Sequence, residues 1–369
     1  MPDKDHAQLP AQTIVVNALG TLDNPNLLLA PGGTDRSRLA YGNSAGAVDA
    51  RSLADARAAG LTAVNVTLGH VAGSDDPFEA TVRDIATWDS LIRQSPTALR
   101  KVYTADDILE AQAHGQVGVI YGFQNTEMLG SDLERIRLFA KLGVRIIQLT
   151  YNGRNRVADG STVADDRGLS PFGVDVIARL QREGVLVDLS HSSTATCLEA
   201  LDIATRPLAI THSGCRALAD HPRNKSDAEL RRLAENGGVI GIYSMPYLRT
   251  QGQPQAADLI AHIEHALEVC GEDHVGIGTD GCVSAIDDMP AYRHHLAAEI
   301  ETRRQLGIGA PGETAEVVLF LPDLCGVGQF ARLAELLAAR GHGEARIAKI
   351  LGGNFVRLFN ETLTPRFPA

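Results

Sequence analysis

Two histidines each close a short apolar run: His191 ends "VLVDLSH" and His212 follows "LAIT" in "LAITHSG". Such runs read as strands buried on both faces, so two imidazoles at two strand ends point to a shared site. Adjacent strands stand about 4.8 Å apart, and two ring nitrogens each about 2.1 Å from one zinc ion can share it. Asp280, in "VGIGTDG", supplies a carboxylate able to take a proton from water and hand it to a leaving amine. Arg223, in "DHPRN", offers a guanidinium fork that grips a substrate carboxylate in one orientation, with His221 and Asn224 beside it. Gln124, Asn125, Tyr151, Asn152, Arg154 and Asn155 cluster near the ends of two further runs and can hydrogen-bond a substrate. Each group also has an ordinary role: a satisfied core histidine, an aspartate starting a turn, a solvated loop arginine.

Other chemistries find less support. Ser190, Ser192 and Ser213 flank the histidines, but no G-x-S-x-G elbow is present. Cys215 reads as a buried structural thiol rather than a nucleophile. "LGGNF" lacks the Lys-Ser/Thr pair of a phosphate-binding loop.

These groups need elements to position them. Eight β-rich runs alternate with helical spacing, at 13–20, 62–70, 117–125, 144–152, 185–191, 208–214, 238–246 and 275–281. "SDLERIRLFAKLG" (131–143) and "SDAELRRLAENGG" (226–238) each open on a serine cap and close on glycine. Eight strand–helix units predict an α/β fold, a (β/α)8 TIM barrel, whose catalytic groups sit at the C-terminal ends of the strands. The whole chain, 1–369, reads as one barrel, with an insertion over 285–324 and C-terminal helices over 325–361, the last interrupted by two glycines.

Composition narrows the partners. With 34 Lys and Arg against 45 Asp and Glu, the formal charge is −11, which argues against a nucleic-acid partner. The five cysteines are an odd number without a C-x-x-C pair, which fits a reduced, cytoplasmic protein. No apolar run reaches the roughly 18 residues a membrane helix needs, and the amino terminus reads as no signal peptide.

The motifs "LGVRIIQLTYNGRN", "GLSPFGVDVI", "GVLVDLSHSS", "THSGCRALADHPRN", "GGVIGI", "VGIGTD" and "ILGGNFVRLF" together resemble the membrane dipeptidase (renal dipeptidase, peptidase M19) family of the amidohydrolase superfamily. They occur in family order over most of the chain. The resemblance implies hydrolysis of dipeptides and related small amides at a metal site on the barrel rim, and a homodimer. It matches His191 and His212 to two metal-binding histidines, Asp280 to the catalytic aspartate, and Arg223 to the arginine that holds the substrate carboxylate. It also exposes departures. Leu19 and Thr21 stand where a His-x-Asp pair belongs, Gln124 replaces a glutamate that bridges two metals, and Tyr151 replaces a histidine.

A neutral amide bridges two dications poorly and leucine has no lone pair, so a two-metal centre is not expected. One zinc ion on His191 and His212 with Asp280 and water is the most the set predicts; Asp23 and His70 are candidate replacement ligands. The leading expectation is a hydrolase of a small amide or dipeptide-like carboxylate using at most one ion, with Asp280, His212 and Tyr151 catalytic and Arg223, Asn224, Gln124 and Asn152 holding substrate. The alternatives are a metal-independent acid–base lyase or hydrolase acting on a small carboxylate, and a small-ligand binder without activity.

Overall fold

The computed structural model describes residues 9–29 and 44–364. Nine parallel strands form one sheet: β1 (Val16–Asn17), β2 (Ala63–Thr67), β3 (Leu99–Lys101), β4 (Val117–Phe123), β5 (Val144–Gln148), β6 (Leu186–Asp188), β7 (Ala209–Ser213), β8 (Val239–Ile242) and β9 (Val275–Ile277). The order runs β2-β1-β9-β8-β7-β6-β5-β4, and pairing of β2 with β4 closes it into an eight-stranded barrel with helices outside. All eight expected strands are present. The ninth, β3, was not expected: it pairs with residues 117–119 of β4, while β5 pairs with residues 121–123. Both must use the edge opposite β2, because β2 pairs across residues 118–122. A three-residue strand is too short to leave a pattern of its own in the sequence.

The strands are near-continuous in buried residues because helices cover the barrel. Val64, Val119, Ile147, Val187, Ile210, Ile240 and Ile277 belong to the main core. A second cluster takes Val16, Ala63, Ile120, Ile146, Leu186, Ala209 and Val239 from seven strands and closes on Phe355, Leu358 and Phe359. The helix Asn354–Thr362 therefore plugs the floor of the barrel, leaving the opposite rim for chemistry. The two glycines expected to interrupt the last helix lie instead in a π-helical turn, Lys349–Gly353, that joins Glu344–Ala348 to it without a break. A Cβ on Gly352 would meet the Ile14 carbonyl oxygen at 2.6 Å, so the missing side chain lets the helix lie against the chain entering β1.

Local signals hold for the helix Asp227–Glu235, where Ser226 and Glu229 form a reciprocal capping box. The helix expected from Ser131 starts later, at Glu134, and Asp132 rather than the serine accepts the Glu134 N–H at 2.9 Å. The segment 285–324 contributes the helix Met289–Gln305, capped by Asp288, and a loop that returns over the rim. Among the described residues no helix is long and apolar enough to cross a membrane.

Candidate active site

The strands stop early, so most candidate groups stand in the loops just past them. His191 follows β6 by three residues and His212 lies within β7, and both side chains are buried. Their Nε2 atoms face each other at 3.0 Å. What each ring does with its other nitrogen decides what that contact means.

Asn152 Nδ2 donates to the Ile308 carbonyl at 2.8 Å, which leaves its Oδ1 to accept from His191 Nδ1 at 2.7 Å. The Thr211 hydroxyl donates to Asp188 Oδ2 at 2.6 Å, so its oxygen accepts from His212 Nδ1 at 2.9 Å. Asp188 is buried at the end of β6. Burial pushes its carboxyl up, while Ser190 and Thr211 side chains and backbone amides donate to it and pull it back. Burial, followed by the nearby Arg223 charge, holds both imidazoles well below the usual histidine range. Two neutral rings with protonated Nδ1 atoms therefore aim two Nε2 lone pairs at one another.

That arrangement is repulsive with nothing between the rings and attractive around a cation. Two nitrogens on one tetrahedral zinc stand about 3.4 Å apart, close to the separation seen. The pair therefore fits one cation. It does not extend to a fuller set: among the described residues no group of three or more His, Cys, Asp or Glu could hold a metal. Asp280 thus does not join the histidines as a third ligand, contrary to expectation, and neither does Asp23 or His70. His70 is buried outside the cavity lining with neither ring nitrogen hydrogen-bonded, and Asp23 lines the cavity.

The cavity opens at the C-terminal ends of the strands, with a water-accessible volume of about 270 Å³. Gln124, Tyr151, Asn152, His191, Arg223 and Asp280 all line it. His212 does not, and reaches it only through His191.

Asp280 is the one non-glycine with positive φ among the described residues, at 57°. The left-handed backbone turns its side chain to the cavity from the end of β9, a strain of the kind that collects at functional sites. Burial pushes its carboxyl up to about 6, against the pull of Arg223 and Arg303. Arg223 is 2% exposed, donates to the Ser190 carbonyl, and makes no ion pair among the described residues. It is a buried positive charge on the hollow, within reach of the Asp280 charge but bonded directly to no described carboxylate.

Two expected substrate ligands are otherwise engaged. Asn224 lies outside the lining: its amide donates to the Ala219 and Tyr247 carbonyls and accepts from the Tyr243 hydroxyl, bracing the loop that carries Arg223. Asn152 lines the cavity, yet its amide is spent on Ile308 and His191. Gln124 donates to Thr67 Oγ1 at 2.6 Å and turns its remaining edge to the cavity. The Tyr151 ring stacks on His191 with centroids 4.2 Å apart, and its hydroxyl accepts from Arg303 at 3.2 Å.

Arg303 belongs to the 285–324 segment, which sequence reasoning left without a role. It forms a two-pronged ion pair with Glu313, and Glu313 also accepts from the Tyr247 hydroxyl at 2.7 Å. The Ile308 carbonyl holds Asn152, and the Pro311 carbonyl accepts from His221 at 2.9 Å. The segment is thus a roof latched to three rim loops, and nothing in its composition signals those contacts, because half of them use backbone carbonyls.

The family model described as "Membrane dipeptidase (Peptidase family M19)" matches residues 36–307. Dipeptidase tcpJ of Claviceps purpurea is 29% identical over 86% of this chain and 69% of its own length. An uncharacterized dipeptidase, C965.12, of Schizosaccharomyces pombe is 34% identical over 54% of this chain and 50% of its own. Among solved structures, an amidohydrolase from Pseudomonas aeruginosa is 30% identical and superposes with a TM-score of 0.78, covering 96% of this chain and 97% of that one. With the family pattern matched over most of its length and the rim built as described, the chain belongs to the membrane dipeptidase family, peptidase family M19.

Proposed function

We infer that the protein hydrolyses small dipeptide-like substrates at this cavity. The observation that carries the reading is the buried, unpaired Arg223 guanidinium in the same hollow as the free Asp280 carboxylate and His191. Arg223 binds the substrate carboxylate as a fork, which gives the guanidinium the direct ion pair it lacks and fixes the scissile carbonyl relative to the rim. Asp280, held near 6 by burial, takes a proton from the attacking water and delivers it to the departing amine. Tyr151 accepts from Arg303, so its own O–H is free to donate to the oxygen that gains charge at the carbonyl. Water attacks the carbonyl carbon, the C–N bond breaks, and the products are a carboxylate and an amine.

His191 and His212 would hold one divalent ion, with zinc the best match to two imidazoles. When bound, that ion supplies Lewis acidity at the carbonyl and lowers the pKa of water. The chain's own part is to keep both rings in the Nδ1–H form through Asn152, Thr211 and Asp188.

The test is hydrolysis of a panel of dipeptides by protein as purified, after chelation, and after adding zinc. Turnover that chelation abolishes and zinc restores is expected. Full turnover in metal-free protein would transfer the chemistry to His212 and Asp280 alone, and no turnover in any state would defeat the reading.

A further inference from the structure

We propose that Arg303, carried on the roof, is a positioning residue for the reaction: it holds the Tyr151 hydroxyl with its proton turned to the substrate and strengthens it as a donor. The 285–324 segment then takes part in the chemistry as well as covering it. The proposal rests on the dipeptide reading above and adds to it a residue from outside the rim loops.

Arg303 lies in the last turn of the helix Met289–Gln305 and lines the cavity, with its side chain 15% exposed. Its guanidinium is divided between two partners. Nε and Nη2 donate to the two oxygens of Glu313 at 3.0 and 2.8 Å, and Nη1 donates to the Tyr151 hydroxyl at 3.2 Å. Glu313 is itself held, by the Tyr247 hydroxyl at 2.7 Å and the Ala310 N–H at 3.1 Å. The ion pair therefore balances the charge of Arg303 without drawing on a substrate, and it leaves the carboxylate of a dipeptide to Arg223. What remains of Arg303 is aimed at one oxygen.

That oxygen belongs to the group placed against the reacting carbonyl. A guanidinium can only donate, so the Tyr151 oxygen accepts, and its single proton must lie on the side away from Nη1. Among the described residues no acceptor takes that proton. A hydroxyl without a partner rotates and spends part of its time pointed elsewhere. Donation from a cation removes that freedom and draws electron density from the oxygen, which makes the O–H a stronger donor. The ring is held as well, since it stacks on His191 with centroids 4.2 Å apart and planes 23° from parallel. The imidazole thus sets the plane of Tyr151, and Arg303 sets its proton. Fastening the roof needs no such bond, because the Ile308 and Pro311 carbonyls already tie it to Asn152 and His221.

The experiment is a double-mutant cycle on the full chain, with the best dipeptide of the panel and the metal state that turns it over. The assay runs at about pH 8, where Asp280, held near 6, is ionised with or without the Arg303 charge. Arg303→Met is made together with Glu313→Gln, so that no buried carboxylate is stranded. Arg303→Gln alone is the second route should the first protein not fold, and each is combined with Tyr151→Phe. With the hydroxyl present, either roof variant should lower kcat on the order of tenfold, part of what an oxyanion donor contributes, with KM changed less than about twofold. In the Tyr151→Phe background the same substitutions should change kcat less than about twofold, because groups that act as a unit are not additive. The proposal is overturned if kcat falls equally in both backgrounds, if it does not fall, or if the loss appears in KM. Failure of the dipeptide reading looks different: unsubstituted protein that hydrolyses no dipeptide sinks that reading and this inference with it, whereas turnover that does not depend on Arg303 through Tyr151 sinks this inference alone.

Discussion

The two halves of the rim are built on different chemistry. The half that follows β6 to β9 presents imidazoles, a guanidinium and a carboxylate: His191, His212, Arg223 and Asp280. The half that follows β1 to β5 presents Leu19, Thr21, Gln124 and Tyr151 on the same cavity. The first half is over-determined, each ring nitrogen and backbone amide tied into a buried chain from Asp188 to Asn152. The second is neutral at the positions the family uses for a second ion, with Tyr151 anchored by the roof and Gln124 by Thr67. The difference teaches that loss of ligands has been confined to one side. The surviving side still leans on the other for positioning, since Asn152 and Tyr151, both just past β5, hold the His191 ring.

Breaking the charged half should have the largest effect. Asp280→Asn is expected to lower kcat about 10³-fold, the usual range for a general acid–base group, measured on the best dipeptide of the panel. The same carboxyl sets the pH response. Its folded pKa is raised from 3.8 to about 6, so between those values the folded state holds a proton that the unfolded state has lost. Its contribution to stability therefore falls as pH rises from about 4 to about 6, while activity, which needs the ionised form, rises through about 6. Melting temperatures across that window should lose this component in Asp280→Asn, and the variant should be no less stable than the parent at pH 7.

Tyr151→Phe tests whether the neutral half contributes to chemistry. It keeps the stack on His191 and removes only the hydroxyl, so kcat should fall about 100-fold with KM little changed. A fall of less than about threefold would reduce Tyr151 to a prop for the imidazole. Thr211→Val removes the link between Asp188 and His212. Affinity for zinc should weaken about tenfold by competition with a chromophoric chelator, and stability should drop by about 1–3 kcal/mol in urea unfolding because Asp188 loses a buried donor.

The smallest effect is expected from Gln124→Glu, which returns a carboxylate to the neutral half. Thr67 can turn its hydroxyl to donate, so stability should change by no more than about 1 kcal/mol, and elemental analysis should still find one ion per chain. Two ions would show that the halves differ by a single residue rather than by design.

The eight main strands, the barrel and the rim location of His191, His212, Arg223 and Asp280 were legible in the sequence. Each is a local signal: a buried strand must be apolar throughout, and its end is marked by the first polar residue. The short β3, the π turn at Gly352, the roof and the spent amides of Asn152 and Asn224 were not. They depend on pairings that residue type does not announce, many of them to backbone carbonyls far along the chain: Asn152 on Ile308, His221 on Pro311 and Gly352 on Ile14. Residue types thus determined which chemistry was possible. Only the closed barrel decided which groups meet, because the facing of two histidines, the tautomer of each and the latching of Asn152 to Ile308 follow from distances that no spacing along the chain encodes.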